Sequence, residues 1–382
     1  MKNNRVLIVS SFFPYPSYFG GSFDVLERAK GLKKLGFEID LVCTCKIPPE
    51  NEHVAFMKSI VNDIIIVERK NKLIHFFSRK PLQVLSRKSI KNIQLQLKYS
   101  FVILETEYVG AILENETLKA EKIFLRVQNN ESAYFKELSQ STMNPLKKIY
   151  YLTDSLKFYW YSNHIFKKVD KLWYISSLEI NANENNFNKS VHLPAPINEK
   201  FVKRELTSKK ILFIGSLFMP NNFEGLEWYL KNIHPRLCAE IKEYVLIIVG
   251  STGGISENYF HEKLKKYKKL EVHFNVKDLT KFYSESSIFI NPMLHGAGVK
   301  IKTINAVVNG LPIVSTTKGA EGIGIVDKQM YFKADSPIDF KNAILNIFNL
   351  KNSDKQVLVK QAQNYLEKNN YLNILKKELV ND

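Results

Sequence analysis

Cysteine is scarce in this chain of 382 residues: there are three, Cys43, Cys45 and Cys238. So few thiols exclude a disulfide framework. Cys43 and Cys45 stand two apart in an expected strand and share a face, but a metal site needs more ligands nearby than His53 offers. Buried apolar thiols in a reducing compartment are the expectation. Acidic residues are also in deficit, 38 Asp and Glu against 55 Lys and Arg, a net charge of +17. That balance favours anionic partners, whether nucleotide, nucleic acid, acidic glycan or anionic membrane. No segment approaches the ~20 apolar residues of a membrane span. The opening "MKNNRVLIVSSFFPYPS" has the basic start of a leader. Pro14 and Pro16 and the missing small-x-small site argue against one, and Val6–Val9 reads as a core strand. No D-x-D triplet occurs; a full G-x-G-x-x-G fingerprint is also missing, and for want of it dinucleotide binding is poorly supported.

What is present is a repeated strand–loop–helix grammar, with apolar residues making up 45% of the chain, enough for real cores. Val6–Val9 is followed by Gly20-Gly21-Ser22, a helical spacing from Asp24 to Leu35, Gly36, and a second strand at Ile39, Leu41 and Cys43. Ile64–Val67, Phe101–Glu105, Ile123–Val127, Leu172–Ser176 and Val191–Pro196 read as further strands. After a linker at 196–208 the grammar restarts. Ile211–Ile214, Val245–Val249, Val272–Phe274, Ile288–Ile290 and Pro312–Val314 are separated by helix-length segments, with a helix over Leu226–Leu237 and Asn222 as its expected cap. The fold class expected is α/β, two Rossmann-like doubly wound parallel-sheet domains facing across a cleft. Their bounds are 1–196 and 209–354, with a helical tail at 355–382 crossing back to the first domain.

The chemistry concentrates in "NPMLHGAGVKIKTINAVVNGLPIVST", residues 291–316. Gly296 and Gly298 remove side chains where a ligand backbone approaches, and the helix start that follows offers N–H donors and a positive dipole end. With Lys300 and Lys302 added, this is an anion site suited to a diphosphate. A tight turn with two solvated lysines is the blander alternative. From Arg69 to Ser100 there are nine Lys or Arg and no Asp or Glu, interleaved with Leu73, Ile74, Phe76, Phe77, Leu82, Val84, Leu85, Ile90 and Ile93. That stretch suits either an anionic membrane surface or a solvated basic face over a core stripe. The aromatic segment 150–174 is expected to serve mainly core and inter-helix packing, and helical spacing disfavours base-stacking platforms.

The second half, through "ILFIGSLFMPNNFEGLEWYL", "LIIVGS", "VHFNVKDLTKFYSESSIFINPM", "GAGVKIKTINAVVNGLPIVST" and "GAEGI", resembles the retaining glycosyltransferases of the GT-B fold, family 4 type (glycosyl transferases group 1). The first half is similar more loosely, through "SFFPYPSYFGGS" and "LRVQNNESAYF". The resemblance implies sugar transfer, with retention, from a nucleotide diphosphate sugar of UDP or GDP type to a glycan or lipid-linked acceptor. It implies no metal and no resident cofactor, with Lys300 and Lys302 stabilising the departing diphosphate. It further places Gly215 and Ser216 at the phosphates and Val276 and Leu279 beside the base. His295, Gly296, Ala297, Gly298 and Val299 line the donor loop, and Gly20 and Gly21 close over the sugars. Arg126, Asn129 and Glu131 fall on the acceptor side. Three positions depart from the family pattern. Asn305 stands where a Glu grips the ribose, Ala297 where a partner Glu occurs, and Gln128 where a His contacts the donor sugar. Glutamine orients by hydrogen bonds but does no acid–base work near neutrality. Front-face attack requires no protein base, so an active enzyme of cell-surface polysaccharide synthesis is expected, cytoplasmic and peripheral on the inner membrane face. A catalytically silent GT-B subunit that binds glycan or stabilises a partner transferase is the alternative. A GT-B epimerase lacks the acid–base groups it would need, and nucleic acid is not expected as a partner.

Overall fold

A run in which every side chain is apolar serves a strand buried on both faces, and Val6–Val9 does so within β1 (Arg5–Ser10). Val6 and Ile8 join the core formed with Val25, Leu26 and Leu32 of α1 (Gly20–Lys34), whereas Leu7 and Val9 join the core on the opposite face. The computed structural model describes residues 4–17, 20–70, 75–76, 78–142, 144–181, 188–197, 200–296 and 298–380. Leu73, Ile74, Phe77 and Ala297 lie outside the described residues.

The chain divides into two compact units, residues 1–196 with 371–382, and residues 197–370. In the first, β1 and α1 are followed by β2 (Glu38–Cys45), α2 (Asn51–Lys58), β3 (Asp63–Glu68), α3 (Leu82–Leu85), β4 (Lys98–Glu105), β5 (Lys119–Val127), α4 (Glu131–Ser141), α5 (Pro145–Phe166), β6 (Lys171–Tyr174), α6 (Ser177–Asn181) and β7 (Ser190–His192). The strands form one parallel sheet ordered β3-β2-β1-β4-β5-β6-β7, whose direction of winding reverses between β1 and β4. In the second unit come β8 (Lys210–Ser216), α7 (Pro220–Asn232), α8 (His234–Glu240), β9 (Val245–Ser251), α9 (Glu257–Leu264), β10 (Leu270–Phe274), α10 (Thr280–Glu285), β11 (Ile288–Asn291), α11 (Ile301–Val308), β12 (Ile313–Ser315), β13 (Phe332–Lys333), α12 (Pro337–Asn349) and α13 (Asn352–Lys368). Their parallel sheet runs β10-β9-β8-β11-β12-β13 and reverses between β8 and β11. Crevices at the carboxyl ends of such switch-point strands are where ligands of open α/β sheets bind. In this chain those crevices are formed by the loops after β1 and β4 in the first unit and after β8 and β11 in the second.

Each of the expected strands forms, and β13, two residues long, is added to them. Several details differ from expectation. The double glycine opens helix α1 itself. The helix expected over Leu226–Leu237 is two helices, α7 ending at Asn232 and α8 starting at His234, because Pro235 in the first turn of α8 cannot continue a preceding helix. Asn222 is no cap; α7 begins at Pro220 after Met219, and the Asn222 side chain is used elsewhere. The tail divides: α13 belongs to the second unit and α14 (Tyr371–Val380) to the first, where Tyr371, Leu375 and Leu379 pack into the core shared with α1. In the basic stretch 69–100, Val84 and Ile90 are buried, and Arg87 turns inward to the Ser11 carbonyl at 3.1 Å. Val84 and Ile90 thus serve the core, Leu82, Leu85 and Ile93 are half-buried, and Phe76 is exposed.

Candidate functional site

In the second unit the site is built at the switch point. β8 ends on Gly215 and Ser216; β11 ends on Asn291 and runs into the glycine loop. The loop is locked from beneath. The Asn291 amide, fully buried, donates to Thr303 Oγ1 at 3.0 Å and to the Gly319 carbonyl at 2.7 Å, and Thr303 donates to the same carbonyl at 2.9 Å. A Cβ on Gly319 would lie 2.2 Å from the Asn291 carbonyl oxygen, so only glycine admits this approach. Gly296 has φ 111° and Gly298 φ 82°, backbone that a β-carbon disfavours. A Cβ on Gly296 would also meet Asn221 Nδ2 at 2.7 Å.

The two lysines do different things. Lys300 precedes the first turn of α11, is buried, and donates through Nζ to the carbonyls of Gly296 at 2.9 Å and Gly298 at 2.7 Å. It cross-braces the loop. Lys302, half-buried one residue into α11, donates to Asn222 Oδ1 at 2.7 Å and sits 5.2 Å from the Phe213 ring centroid. Its partners are a neutral amide and an aromatic face, with no carboxylate among the described residues. Desolvation, and next the nearby Lys300 charge, push its pKa down to about 7. Asn222 also donates to the Ser216 carbonyl at 3.2 Å, so one amide ties the β8 exit to this ammonium group. Asn305 is half-buried and three residues beyond Lys302, on the same side of the helix. His295 is exposed, its Nε2 3.9 Å from the Glu224 carboxylate. Val299 is half-buried in the loop. Val276 and Leu279 are half-buried after β10, two strands away from β8 at the same end of the sheet. Lys318 pairs with Glu321 at 2.9 Å.

In the first unit one expectation is corrected. Arg126 has no exposed surface that an acceptor could reach: its Nε bonds Asp24 Oδ2 at 2.8 Å, its Nη2 bonds Asp24 Oδ1 at 3.1 Å, and the Leu193 and Pro194 carbonyls take its other donors. Asp24 also accepts from Arg28 at 2.6 Å, and Arg28 pairs in turn with Glu105. Two guanidinium groups and two carboxylates thus neutralise one another out of water, the condition for burying charge at all. Arg28 donates further to the Tyr371 hydroxyl at 3.1 Å, which fastens α14 to this cluster.

Beyond Arg126 the chain reaches the surface. Gln128 is half-buried, and its Nε2 lies buried without a hydrogen-bond partner among the described residues. Gly20 is exposed and Gly21 half-buried in the first turn of α1. Asn129 and Glu131 line a cavity of about 270 Å³ with Glu107, Asn130, Ser162 and Glu179. Glu131 accepts from the Tyr108 hydroxyl, and burial, with the Tyr108 bond opposing it, raises its pKa to about 7. Burial first, then the Glu131 charge, lifts Glu107 as well. Thr106, between β4 and this pocket, has φ 82°, a strained setting for a β-branched residue at the switch point.

The model of the family "Glycosyl transferases group 1" matches residues 208–349, the unit that carries the lysine loop. A protein of Klebsiella pneumoniae described as an uncharacterized 44.6 kDa protein in cps region is 34% identical over 354 residues, 90% of each chain. The chain belongs to the glycosyl transferases group 1 family. Its fold is GT-B, like that of solved glycosyltransferases. A structure of S. aureus TarM with fondaparinux, alpha-GlcNAc-glycerol and UDP has a TM-score of 0.71 at 10% identity, covering 98% of this chain and 99% of that one. Anabaena HepE with UDP-glucose has a TM-score of 0.66 at 9% identity, covering 99% and 98%. The pneumococcal O-GlcNAc transferase GtfA with UDP and GlcNAc has a TM-score of 0.68 at 13% identity, covering 99% of both.

Within this group 1 glycosyltransferase, sequence reasoning passed over Asn222, Asn291, Thr303, Glu107 and Thr106. Asn222 was visible only as a helix-start residue. Asn291 and Thr303 lie 12 apart in sequence and gave no signal until β11 and α11 were packed together.

Proposed function

We propose that this protein transfers a sugar, with retention, from a UDP- or GDP-linked donor to a glycan or lipid-linked acceptor in cell-surface polysaccharide synthesis. The carrying observation is Lys302, a half-buried ammonium with an uncharged partner and a second ammonium nearby. Such a group is electrostatically incomplete, and a diphosphate supplies the charge that it lacks. As the glycosidic bond breaks, negative charge grows on the leaving diphosphate beside Lys302 and the α11 terminus. A fixed cation there favours the transition state over the ground state, an effect on the order of 3 kcal/mol for one such contact. Metal independence follows in this reading, since the lysine stands where other folds place a divalent ion. Lys300 acts through the loop it braces, as a positioning residue. The unmet Gln128 amide is a donor suited to a sugar hydroxyl, and Asn129 with Glu131 forms part of the acceptor side. Work at the cytoplasmic face of the membrane accords with the net charge of +17, and the wording of the Klebsiella relative's description accords with polysaccharide synthesis.

The test is calorimetric titration with UDP, GDP, ADP and CMP, repeated on Lys302→Ala. Micromolar-range binding of one diphosphate, lost in the variant, supports the donor site and names the base; absence of binding to all four removes it. The silent-subunit reading has its own support in Gln128 and Asn305, which lack the charge or basicity of the family residues. Binding of a diphosphate without release from any matching sugar nucleotide, in the presence of acceptor extracts, decides for that reading.

A further inference from the structure

Helix α5 is apolar on two opposite faces. Phe158, Tyr161, Ile165 and Phe166 enter the core, as the aromatic content of the segment implied. On the other side Leu146, Ile149, Leu152, Leu156, Tyr159 and Trp160 are solvent-exposed, from 43% for Leu152 to 77% for Leu146. At 100° per residue these six fall within one sector opposite the core face, a stripe about 21 Å long at 1.5 Å per residue. A helix apolar all round belongs inside a protein or against another apolar phase. Isolated exposed apolar residues are ordinary; a contiguous stripe marks an interaction surface.

Charge identifies the occupant. Between residues 142 and 169 the one acidic residue is Asp154, and it is buried. Lys147, Lys148, Lys167 and Lys168 are exposed and bridge to no carboxylate among the described residues. Lys148 and Lys157 flank the stripe on its two edges. Lys157 reaches the Phe76 carbonyl at 3.1 Å, and Phe76, 45% exposed, adds a ring from the basic stretch 69–100. Leucine and isoleucine along the middle, an exposed Tyr-Trp pair towards one end and lysines on the rims form the pattern of an interfacial helix on anionic lipid. We infer that α5 seats this protein on an anionic phospholipid bilayer, with Leu146, Ile149, Leu156 and Trp160 entering the headgroup boundary. The inference does not rest on the transfer reaction, because lipid binding is read without donor or acceptor.

Trp160 makes the test direct. Of the three tryptophans, Trp173 is fully buried and Trp228 half-buried, so Trp160 is the exposed reporter. Full-length protein is mixed with vesicles of phosphatidylcholine containing a quarter phosphatidylglycerol, and with pure phosphatidylcholine, then followed by co-flotation and tryptophan emission. The expected result is flotation with the anionic vesicles, a blue shift, and a drop of at least tenfold for pure phosphatidylcholine and for the Leu156→Ser, Trp160→Ser double variant. The pair Lys147→Glu, Lys148→Glu keeps the tryptophan and should weaken flotation several-fold. Thermal melting of the variants checks that these surface changes leave the fold intact. Three results overturn the inference: no flotation with anionic vesicles at low salt; flotation without a Trp160 shift and unchanged in the double variant; or a lipid-independent dimer, by sedimentation velocity, that the double variant dissolves.

Discussion

Binding of a nucleoside diphosphate should draw a proton onto Lys302. In the ligand-free protein burial and the Lys300 charge hold its pKa at about 7, so at pH 8 roughly nine-tenths of the molecules carry a neutral amine. A diphosphate beside it returns the pKa toward the ordinary lysine value of ~10.4. Uptake of about 0.9 proton per ligand is therefore expected at pH 8, about 0.5 at pH 7 and under 0.1 at pH 6. Affinity falls accordingly, by roughly 50-fold between pH 7 and pH 9, or about 2.3 kcal/mol. The ligand's own terminal phosphate, with a pKa near ~6 like that of a phosphate monoester, is already about nine-tenths ionised at pH 7, so it does not mimic the trend between pH 7 and pH 9; at pH 6 its own proton release is counted apart from the Lys302 uptake. Calorimetry in two buffers of different ionisation enthalpy reads the proton count directly. Lys302→Arg is the control, because guanidinium stays charged: uptake should vanish and the affinity should lose its slope between pH 7 and pH 9. Zero uptake in the parent at pH 8, or uptake that persists in Lys302→Arg, refutes the argument.

Removing Arg126 should unfold the first unit rather than weaken acceptor use. Arg126→Ala leaves Asp24 buried with half its compensation, a cost of about 3–5 kcal/mol in urea denaturation. A double variant, Arg126→Leu with Asp24→Leu, should recover part of that loss. Gly296→Ala forces a β-carbon against Asn221 at φ 111° and should reduce diphosphate affinity at least tenfold, with a stability loss of about 1–2 kcal/mol by melting. Glu107→Gln tests the pocket of the first unit. The folded carboxyl has a raised pKa, so the folded state binds more protons than the unfolded chain above pH ~4.5, and the parent loses stability as pH rises through that window toward about 8. The glutamine variant does not titrate. Its melting temperature relative to the parent should therefore climb between pH 5 and pH 8.5, and a constant difference would contradict the assignment.

Much of the fold was legible because its signals are local. Continuous apolar runs such as Val6–Val9 and Ile288–Ile290 have one stable use, a strand covered on both faces, and alternation with helix-length segments leaves parallel doubly wound sheets as the arrangement that buries them. The glycine–lysine loop was legible for the same reason. Gly296 and Gly298 announce a backbone that other residues resist, and lysines next to a helix start announce an anion.

Tertiary packing decided what these side chains do. Lys300 and Lys302 are equivalent in the sequence, two apart after the same glycines. Only the folded loop shows Lys300 bonded to two loop carbonyls while Lys302 faces Asn222, 80 positions away along the chain. Arg126 reads as a polar residue at a strand end, until Asp24 arrives from 102 residues away and seals it from water. Helix α5 shows the converse. Its residues fix that both faces are apolar, and tertiary structure covers one of them, because α4 and residues 107–114 pack against that side and leave Leu146, Ile149, Leu152, Leu156, Tyr159 and Trp160 in solvent. Periodicity states what a face is made of; burial depends on which distant element comes to lie against it.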